Sequence, residues 1–416
     1  MQKKIIFTLL FITILSVLIF GYNKNQPSQS AQKSPTWWPV QSIDTMKYSR
    51  DLSAEKLTDA SFDAIIDEQI HNIAKTGATH VGIATPYDER FIPILTRWVN
   101  AARKYNLHVW FRGNFSGWEG WFGFSKISRD EHVRLTKDFI ITHKNLFEDG
   151  DYFTACPECE NGGNGDPRMN GDAEGHRLFL IREFNVATEA FASINKRVSP
   201  ALHSMNYDVA KLIMDKPTTR ALGGIVAIDH YVQSPIKLAK DVREIAEYSG
   251  GSVFLGEFGV PIPDIHGKLS DEQQAIWIQD ALNELISEPS LIGLNYWVNV
   301  GGSTELWSNQ GSKPAVTTLT SFYTPRVIEG KVTDQNNKPI ANAKIKSAHR
   351  NTVSDATGRF KLPIHSSDNT LYITSSINNE IKTQIDQDTT QVKIIIRNPN
   401  NSWFKSLMDR IINLAN

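Results

Sequence analysis

Between Trp37 and Tyr323, short apolar runs alternate with longer segments whose apolar positions recur at helical spacing. Such runs are typical of buried strands, and the 3.6-residue period indicates amphipathic helices. Eight alternating units favour a (β/α)8 barrel. An open doubly wound sheet is the alternative, but no glycine-rich phosphate loop follows the first strand. The predicted strands are Ser42–Thr45, His80–Ala84, Leu107–Arg112, Tyr152–Cys156, Val198–His203, Gly224–Val232, Ser252–Gly256 and Leu291–Val298.

The pattern changes at Thr324-Pro325. Beyond it, apolar runs separated by turn residues predict a small all-β sandwich over residues 324–398. Its predicted strands are Val327–Thr333, Ala343–Ala348, Arg359–Pro363, Thr370–Thr374 and Gln391–Ile396. Residues 399–416 are predicted to form an amphipathic helix, which packs either on its own domain or on a membrane or a partner protein.

A predominantly apolar segment, Ile5–Tyr22, follows Lys3 and Lys4. It indicates an export signal whose length lies between a signal-peptide core and a minimal membrane helix. Because no small-residue cleavage site follows directly, an uncleaved membrane anchor is favoured over a cleaved signal peptide. The lysines are expected to stay cytoplasmic, which places the rest of the chain outside, either membrane-anchored or secreted. The polar residues 23–36 are predicted to be a linker.

Composition narrows the class of protein further. Among 416 residues, 44 are Lys or Arg and 45 are Asp or Glu, which gives a formal net charge of −1. A nucleic-acid partner is therefore not expected, since phosphate binding needs a basic surplus. A hydrophobic fraction of 40% excludes a disordered chain, and two cysteines exclude a disulfide-rich scaffold.

Acidic residues follow two of the predicted strands at the same end. Glu158 and Glu160 come after the fourth strand, and Glu257 comes at the end of the seventh. In a (β/α)8 barrel the βα loops line the reacting face, so these carboxylates are expected to meet. Gly256 and Gly259 flank Glu257 and indicate close backbone approach. Two facing carboxyl groups, one protonated and one ionised, are what cleavage of a glycosidic bond requires.

Several of these segments resemble glycoside hydrolases of clan A, especially the family-five cellulases and mannanases. LGEFG at Leu255–Gly259 is similar to their seventh strand, and the His-Tyr pair of IDHYV to their sixth. NYWVN and the following LWSNQGSKPA resemble their eighth strand and the loop after it. The resemblance covers most of residues 37–323. It implies a retaining hydrolase of a β-linked glucan or mannan, with Glu257 as the nucleophile and no cofactor or metal.

The fourth strand departs from the family pattern. The family has Asn-Glu-Pro there, with the Asn on the sugar 2-hydroxyl and the Glu as acid/base, whereas this chain has Pro157-Glu158-Cys159. Glu158 aligns best with the acid/base and is expected to have a raised pKa. Glu160 is the competitor, because strand alternation would point both side chains the same way. Asn161 replaces the missing Asn only if the loop bends back.

Other strand ends and loops carry side chains that suit a carbohydrate partner. Aromatic rings stack on the apolar faces of sugars, while Arg and Asn side chains form hydrogen bonds with the sugar hydroxyl groups. Tyr231 is also expected to donate a hydrogen bond to Glu257, and His203 and His230 belong to the same rim unless they are structural. The predicted substrate-binding residues are Arg112, Asn114, Trp118, Trp121, Asn161, His203, His230, Tyr231, Trp297 and Trp307, with Trp37 and Trp38 as weaker candidates.

Cys156 and Cys159 form a C-x-x-C motif around Glu158. A redox pair would open a helix of a thioredoxin-like domain, and a zinc site needs two further ligands in a matching pattern. Neither context is present. Structural thiols or a local disulfide are therefore favoured, and metal binding is the lesser alternative.

The C-terminal region resembles the carboxypeptidase regulatory-like sandwich in IEGKVTDQNNKPIANAKI and in VSDATGRFKL. This resemblance implies a spacer, adhesion or sugar-contact module without catalytic residues.

Two other functions stay open for the barrel. One is a transglycosylase that uses the same residues; the other is a non-catalytic carbohydrate-binding surface protein, which the missing Asn before Glu158 favours.

Overall fold

A computed structural model describes residues 35–376 and 378–397. The predicted signal or anchor segment, the linker up to residue 34 and the predicted C-terminal helix lie outside these residues. Within the described ranges, no helix combines the length and the apolar character needed to cross a membrane.

The first eight strands are all parallel and form one sheet. They are β1 (Val40–Asp44), β2 (His80–Ile83), β3 (His108–Phe111), β4 (Tyr152–Phe153), β5 (Ser204–Asn206), β6 (Ile225–Asp229), β7 (Ser252–Phe258) and β8 (Leu291–Tyr296). Their order is β4-β3-β2-β1-β8-β7-β6-β5. Between β4 and β5, Ser199 forms a parallel bridge with Tyr152 and exchanges backbone hydrogen bonds with Asp151 and Phe153. The predicted (β/α)8 architecture is therefore observed.

The fifth strand lies later in the chain than the sequence indicates. Within the predicted segment Val198–His203, Ser199 forms an isolated bridge, and the assigned strand begins at Ser204. Pro200 follows that bridge and has no N–H to donate to a ladder, which interrupts the pairing. The fourth strand is also shorter than predicted and ends at Phe153.

Helices surround the barrel, and the longer ones each bury one face. Several begin at an N-cap side chain that accepts a hydrogen bond from a backbone N–H, as Asp172 does from Gly175 and Ser270 from Gln273. The α-helices are Met46–Ser49, Phe62–Lys75, Ile92–Lys104, Ser116–Glu119, Arg129–Thr142, Pro167–Asn170, Ala173–Ser193, Tyr207–Ile213, Lys216–Ala221, Pro235–Ser249, Pro263–His266, Asp271–Leu285 and Pro314–Tyr323. The 3-10 helices are Glu89–Phe91, Trp121–Gly123, Lys144–Leu146 and Cys159–Asn161.

The barrel interior has an apolar layer that supports the reacting face. Its members are Val40, Trp110, Leu202, Ala227 and Phe254, which form a core cluster of their own. Because side chains alternate along a strand, residues two or four positions further on point the same way. Those positions hold buried polar side chains, namely Asp44, Arg112 and Asp229. The apolar layer therefore carries a polar layer towards the C-terminal ends of the strands.

The C-terminal region folds into two small sheets around its own apolar core. One sheet pairs Arg326–Asp334 with Arg359–Ile364 on one side and with Gln391–Ile396 on the other. The second sheet has the order Asn351–Val353, Lys344–Lys346, Thr370–Ser375, Asn378–Gln384. A two-stranded hairpin of Trp307–Ser308 and Gly311–Ser312 lies in the loop after β8. The barrel and these sheets belong to one compact unit that starts at Thr36. These strands are β9 (Trp307–Ser308), β10 (Gly311–Ser312), β11 (Arg326–Asp334), β12 (Lys344–Lys346), β13 (Asn351–Val353), β14 (Arg359–Ile364), β15 (Thr370–Ser375), β16 (Asn378–Gln384) and β17 (Gln391–Ile396).

Candidate active site

Glu257 reaches the barrel interior through an irregularity in β7. Phe254 points inward, so regular alternation would direct Gly256 inward and Glu257 outward. The pairing of β6 with β7 shifts register between Ile228 and Asp229, so that Asp229 stands opposite Glu257. A bulge of this kind re-aims a side chain, and here it turns Glu257 towards the polar layer.

The Glu257 carboxylate is held by two donors. The Arg112 Nη2 atom donates to Oε1 at 2.8 Å, and the Tyr231 hydroxyl donates to Oε2 at 2.7 Å. Arg112 is itself buried and paired with Asp44, which also accepts from Asn295 Nδ2 at 3.1 Å. A carboxylate that accepts one hydrogen bond from a cation and one from a phenol is fixed in position.

Glu158 approaches the same point from the loop after β4. Its backbone has a left-handed conformation, with φ of 43°, and its N–H donates to the Ser204 carbonyl at 2.7 Å. The Asn161 side chain donates to Glu158 Oε2 at 3.1 Å. Burial, followed by the negative charge of Glu257, raises the pKa of Glu158 to about 8. This carboxyl is therefore protonated at neutral pH.

Three carboxyl groups converge at the centre of the site. One oxygen from each of Glu158, Asp229 and Glu257 lies within 4.8 Å of the other two. Burial and the charge of Glu257 raise the pKa of Asp229 well above its usual range, and neither Asp229 oxygen has a hydrogen-bond partner among the described residues. These oxygens are close enough to bind a cation, but the Arg112 guanidinium already contacts Glu257 and lies 3.9 Å from Asp229.

Glu160 has a different environment from Glu158. Its Oε1 atom accepts from the backbone N–H of Asn206 at 2.7 Å and from the Asn206 side chain at 3.0 Å. The side chain is buried, and burial raises its pKa. Glu160 thereby ties the loop after β4 to the end of β5, while Glu158 is the member of the pair that meets Glu257.

Four polar residues of the site were not among the sequence candidates. Asp44, Asp229 and Asn295 lie in the buried polar layer, and Glu119 accepts from Asn114 Nδ2 at 2.6 Å. Burial raises the pKa of Glu119 to about 7. The first three could have been found from strand parity, because each lies an even number of positions from an inward apolar residue or glycine of its own strand. No such pattern marks Glu119, which ends the short helix Ser116–Glu119 after β3.

Two predicted sugar ligands have structural partners instead. Arg112 was expected to bind sugar hydroxyls, but it is fully buried and its guanidinium is engaged by Asp44 and Glu257. Asn114 was expected to do the same, but its oxygen accepts from the Phe115 N–H and lies 2.8 Å from His132 Nε2. Both side chains are thus engaged within the protein, although the buried Arg112 Nε atom has no hydrogen-bond partner among the described residues. Their contacts with sugar hydroxyls stay predictions.

Trp118, His203 and His230 are buried within the protein, which for the two histidines fits the structural alternative. Trp118 is 3% exposed and stacks on Phe179 at 4.8 Å, so it offers no face to a sugar. His203 is buried beside Phe184, and burial lowers its pKa to about 4. The His230 ring lies 2.7 Å from Asp241, although its backbone N–H donates to the Glu257 carbonyl. The weaker candidates Trp37 and Trp38 are buried as well.

The remaining candidates keep accessible surface. Trp297 is half-buried and lies edge-on to Tyr231 at 6.1 Å, next to the Glu257 carboxylate. Trp121 is half-buried, with the Arg50 guanidinium 4.9 Å from its ring. Trp307 belongs to the β9–β10 hairpin and lines a separate cavity of about 840 Å³. Asn161 is exposed and donates to Glu158, and its replacement of the missing Asn stays a prediction.

Cys156 and Cys159 form a disulfide, which was one of the two favoured alternatives for the C-x-x-C motif. Both cysteines are buried. The bond closes a short ring that contains Glu158.

Comparison with solved structures supports the fold of this site. GH5_18 from Bifidobacterium longum subsp. longum, in complex with Manβ1-4GlcNAc, has a TM-score of 0.52 at 16% identity, with 72% of this chain and 84% of that chain covered. GH5_18 from Streptomyces cattleya, in complex with the same sugar, has a TM-score of 0.50 at 15% identity, with 71% and 85% covered. At these identities the likeness shows a shared barrel fold.

A likeness to Bacteroides uniformis β-glucuronidase 2 has a TM-score of 0.45 at 10% identity and covers 80% of this chain. This chain spans only 44% of that protein's length. No curated protein matches the sequence.

Residues 316–398 match a family described as CS1-pili formation C-terminal. This match does not support the carboxypeptidase regulatory-like assignment of the sandwich. The chain thus joins a barrel with the fold of the GH5_18 structures to a small β region that is similar in sequence to the CS1-pili formation C-terminal family.

Proposed function

We propose that the barrel is a retaining glycoside hydrolase that cleaves a β-linked oligosaccharide or polysaccharide of the glucan or mannan type. The observation that carries this proposal is the approach of Glu158, from the loop after β4, to Glu257, near the end of β7, with one carboxyl oxygen of each within 4.8 Å of the other. Retaining enzymes place their two carboxyl groups about 5–5.5 Å apart, whereas inverting enzymes need about 6.5–9.5 Å to admit a water molecule.

In the first step, a Glu257 oxygen attacks the anomeric carbon while Glu158 gives its proton to the departing glycosidic oxygen. The carbon–oxygen bond to the aglycone breaks and a glycosyl ester forms on Glu257. In the second step, Glu158, now a carboxylate, takes a proton from water, and the water oxygen attacks the anomeric carbon and releases Glu257.

The surroundings suit each carboxyl group to its proposed role. Arg112 and Tyr231 hold Glu257 as an oriented carboxylate. Burial and the neighbouring negative charge keep a proton on Glu158 at neutral pH. Catalysis by an acid and a nucleophile needs two carboxyl groups in different environments, so that one keeps its proton while the other is ionised.

Trp297 is the best-placed aromatic platform for the sugar bound at Glu257. It remains half-exposed and lies next to Tyr231, which contacts the nucleophile. Sugars with a β-1,4 linkage belong in a first substrate panel, and Manβ1-4GlcNAc is included because the two GH5_18 structures were solved with it.

The test is covalent trapping. The protein is incubated with 2-deoxy-2-fluoro-β-glucosyl and -mannosyl fluorides, digested, and mapped by mass spectrometry. The expected result is one glycosyl ester on the peptide that contains Glu257, because the fluorine slows hydrolysis of the intermediate. A label on a different carboxylate would reassign the nucleophile.

The substitution Glu257→Gln is the matched control. It should abolish labelling and lower the rate of glycoside cleavage by three or more orders of magnitude, roughly the loss expected when a nucleophile is removed. If the wild-type protein binds the panel sugars but neither cleaves them nor becomes labelled, the barrel is a carbohydrate-binding protein and the hydrolase proposal is wrong. Transfer of the sugar to added alcohol in place of water would indicate a transglycosylase.

A further inference from the structure

We infer that the disulfide between Cys156 and Cys159 is a positioning device for the acid/base Glu158. The inference rests on the proposed function, since it gives a catalytic purpose to a bond that the reaction itself does not use. The ring closed by the disulfide contains only Pro157 and Glu158 between the two cysteines. One of its two enclosed residues is therefore the residue to be positioned.

The Glu158 backbone needs such a restraint. With φ of 43° and ψ of 49°, it occupies the left-handed region, which residues other than glycine rarely adopt. A residue keeps this conformation only where its surroundings determine it, and such residues cluster at active sites. Pro157, with its fixed φ, restricts the ring from the other side.

The disulfide anchors both ends of the ring to packed parts of the barrel. Cys156 is 1% exposed and its Sγ atom lies 3.6 Å from the Asn114 side chain. Cys159 is 2% exposed, and its carbonyl accepts from the buried Trp118 indole N–H at 3.2 Å. These contacts join the ring to the loop after β3. Because the ring is rigid, the contacts also fix the position of Glu158 relative to that loop.

The bond has little to contribute to the stability of the whole molecule. In the chain-entropy account, a disulfide restrains the unfolded chain in proportion to the logarithm of the loop that it closes. Cys156 and Cys159 are only three positions apart, so the loop that their disulfide closes is very short and its effect on the entropy of the unfolded chain is small. Its main effect is therefore local, on the direction in which the Glu158 carboxyl points.

A misplaced acid has a specific kinetic signature. Departure of a poor leaving group such as phenol requires protonation in the transition state, whereas dinitrophenol departs without it. Since kcat/KM reports the steps up to the first bond cleavage, it isolates the protonation by Glu158 from its later role as a base. Loss of positioning should thus lower kcat/KM for the phenyl glycoside and spare the dinitrophenyl glycoside.

The experiment compares wild type with the double variant Cys156→Ala/Cys159→Ala on phenyl and 2,4-dinitrophenyl β-glycosides of the sugar that wild type cleaves best. The expected result is a fall of about tenfold or more in kcat/KM for the phenyl substrate and less than about twofold for the dinitrophenyl substrate. Glu158→Ala supplies the limiting case, with a roughly 10²–10⁴-fold fall on phenyl alone. Ile278→Val, a change in the core behind β7 and β8, should affect both substrates alike.

A second measurement avoids substitution. The wild-type enzyme is reduced with a phosphine, the two free thiols are counted by mass spectrometry after alkylation, and the phenyl to dinitrophenyl ratio of kcat/KM is compared before and after reduction. An equal fall on both substrates, or no fall once both thiols are free, overturns the inference while leaving the proposed function intact. A wild-type enzyme that cleaves neither glycoside overturns both.

Discussion

Among single residues, Glu158 sets the pH range in which the proposed hydrolase works. Burial and the charge of Glu257 raise its pKa to about 8. Since only the protonated carboxyl can protonate a leaving oxygen, kcat/KM for a phenyl glycoside should fall about tenfold per pH unit above that value. The pH–rate profile measures this limb. A dinitrophenyl glycoside is the control, because its leaving group needs no protonation. If kcat/KM fell in the same way for both substrates, the titrating group would not be Glu158.

Tyr231 is a second residue with a measurable role. Its hydroxyl donates to Glu257 Oε2 at 2.7 Å, so Tyr231→Phe should lower kcat/KM by about 10–100-fold, because a hydrogen bond to a charged group is worth about 1.5–3 kcal/mol. Tyr207→Phe is the matched control. Tyr207 stacks on His230, and its hydroxyl has no partner among the described residues. The kcat/KM of the Tyr207→Phe variant should therefore differ from that of wild type by less than about twofold. A similar loss in both variants would remove Tyr231 from the site.

Sequence reasoning succeeded for residues whose position follows from a strand end, and failed for those whose partners come from elsewhere in the chain. The Tyr231 contact with Glu257 was predicted and is confirmed. The contact of Asn114 with His132 was not foreseen, because His132 comes from a helix that follows in the chain. Trp118 lies among glycines in the sequence, but Gly162 and Gly163 are the residues that allow the chain to close over its ring.

At the scale of elements, the bulge in β7 decides whether the site exists. Strand parity alone would point Glu257 out of the barrel, and sequence alternation cannot show where a register shift occurs. The flanking glycines were the only local signal. They mark a place where two backbones approach closely, which is what the pairing of Asp229 with Glu257 requires.

Gly256→Ala tests the bulge. An added Cβ would lie 2.9 Å from the Ser204 Cβ and closer still to Asp229 Oδ1, so the strand must shift. The free energy of unfolding should fall by about 1–3 kcal/mol. Because misplacement of a reacting group by about 1 Å costs about 10²-fold in rate, kcat/KM should fall at least that far. Thermal unfolding and steady-state kinetics measure the two effects.

The control for this substitution is a double-variant cycle. Asp229→Ala removes the closer of the two contacts, so Gly256→Ala should cost less stability in the Asp229→Ala background than in wild type. Equal costs in both backgrounds would mean that Asp229 does not enforce glycine at position 256.

At the scale of the whole molecule, the order of the parts was predictable because each part has its own hydrophobic period. The eight alternating units gave the barrel, and the change at Thr324 gave the sandwich. Two sandwich strands, Asn351–Val353 and Asn378–Gln384, were missed because they are short or largely polar. The carboxypeptidase regulatory-like resemblance of the sandwich is not confirmed, since turn-rich strand patterns recur in unrelated β modules and residues 316–398 match the family described as CS1-pili formation C-terminal.

The buried carboxyl groups of the site should stabilise the folded chain less and less as the pH rises from 5 to 8. Burial raises the pKa of Glu119, Glu158, Glu160 and Asp229 in the folded state. A group with a raised folded-state pKa binds its proton more tightly when folded. As pH rises from its ordinary value of 4.5 through about 8, the unfolded chain releases the Glu158 proton first, and stability is lost over that window.

The substitution Glu158→Gln should therefore stabilise the protein at pH 8 by about 1–4 kcal/mol and change little at pH 5, since one pKa unit corresponds to 1.36 kcal/mol. Urea unfolding at the two pH values measures the difference. The exposed Glu189→Gln variant is the control and should leave the pH dependence unchanged. If Glu158→Gln behaved like Glu189→Gln, the carboxyl would be solvated and ionised at neutral pH. A residue in that state could not serve as the acid, so this measurement on the folding equilibrium tests the catalytic assignment without any substrate.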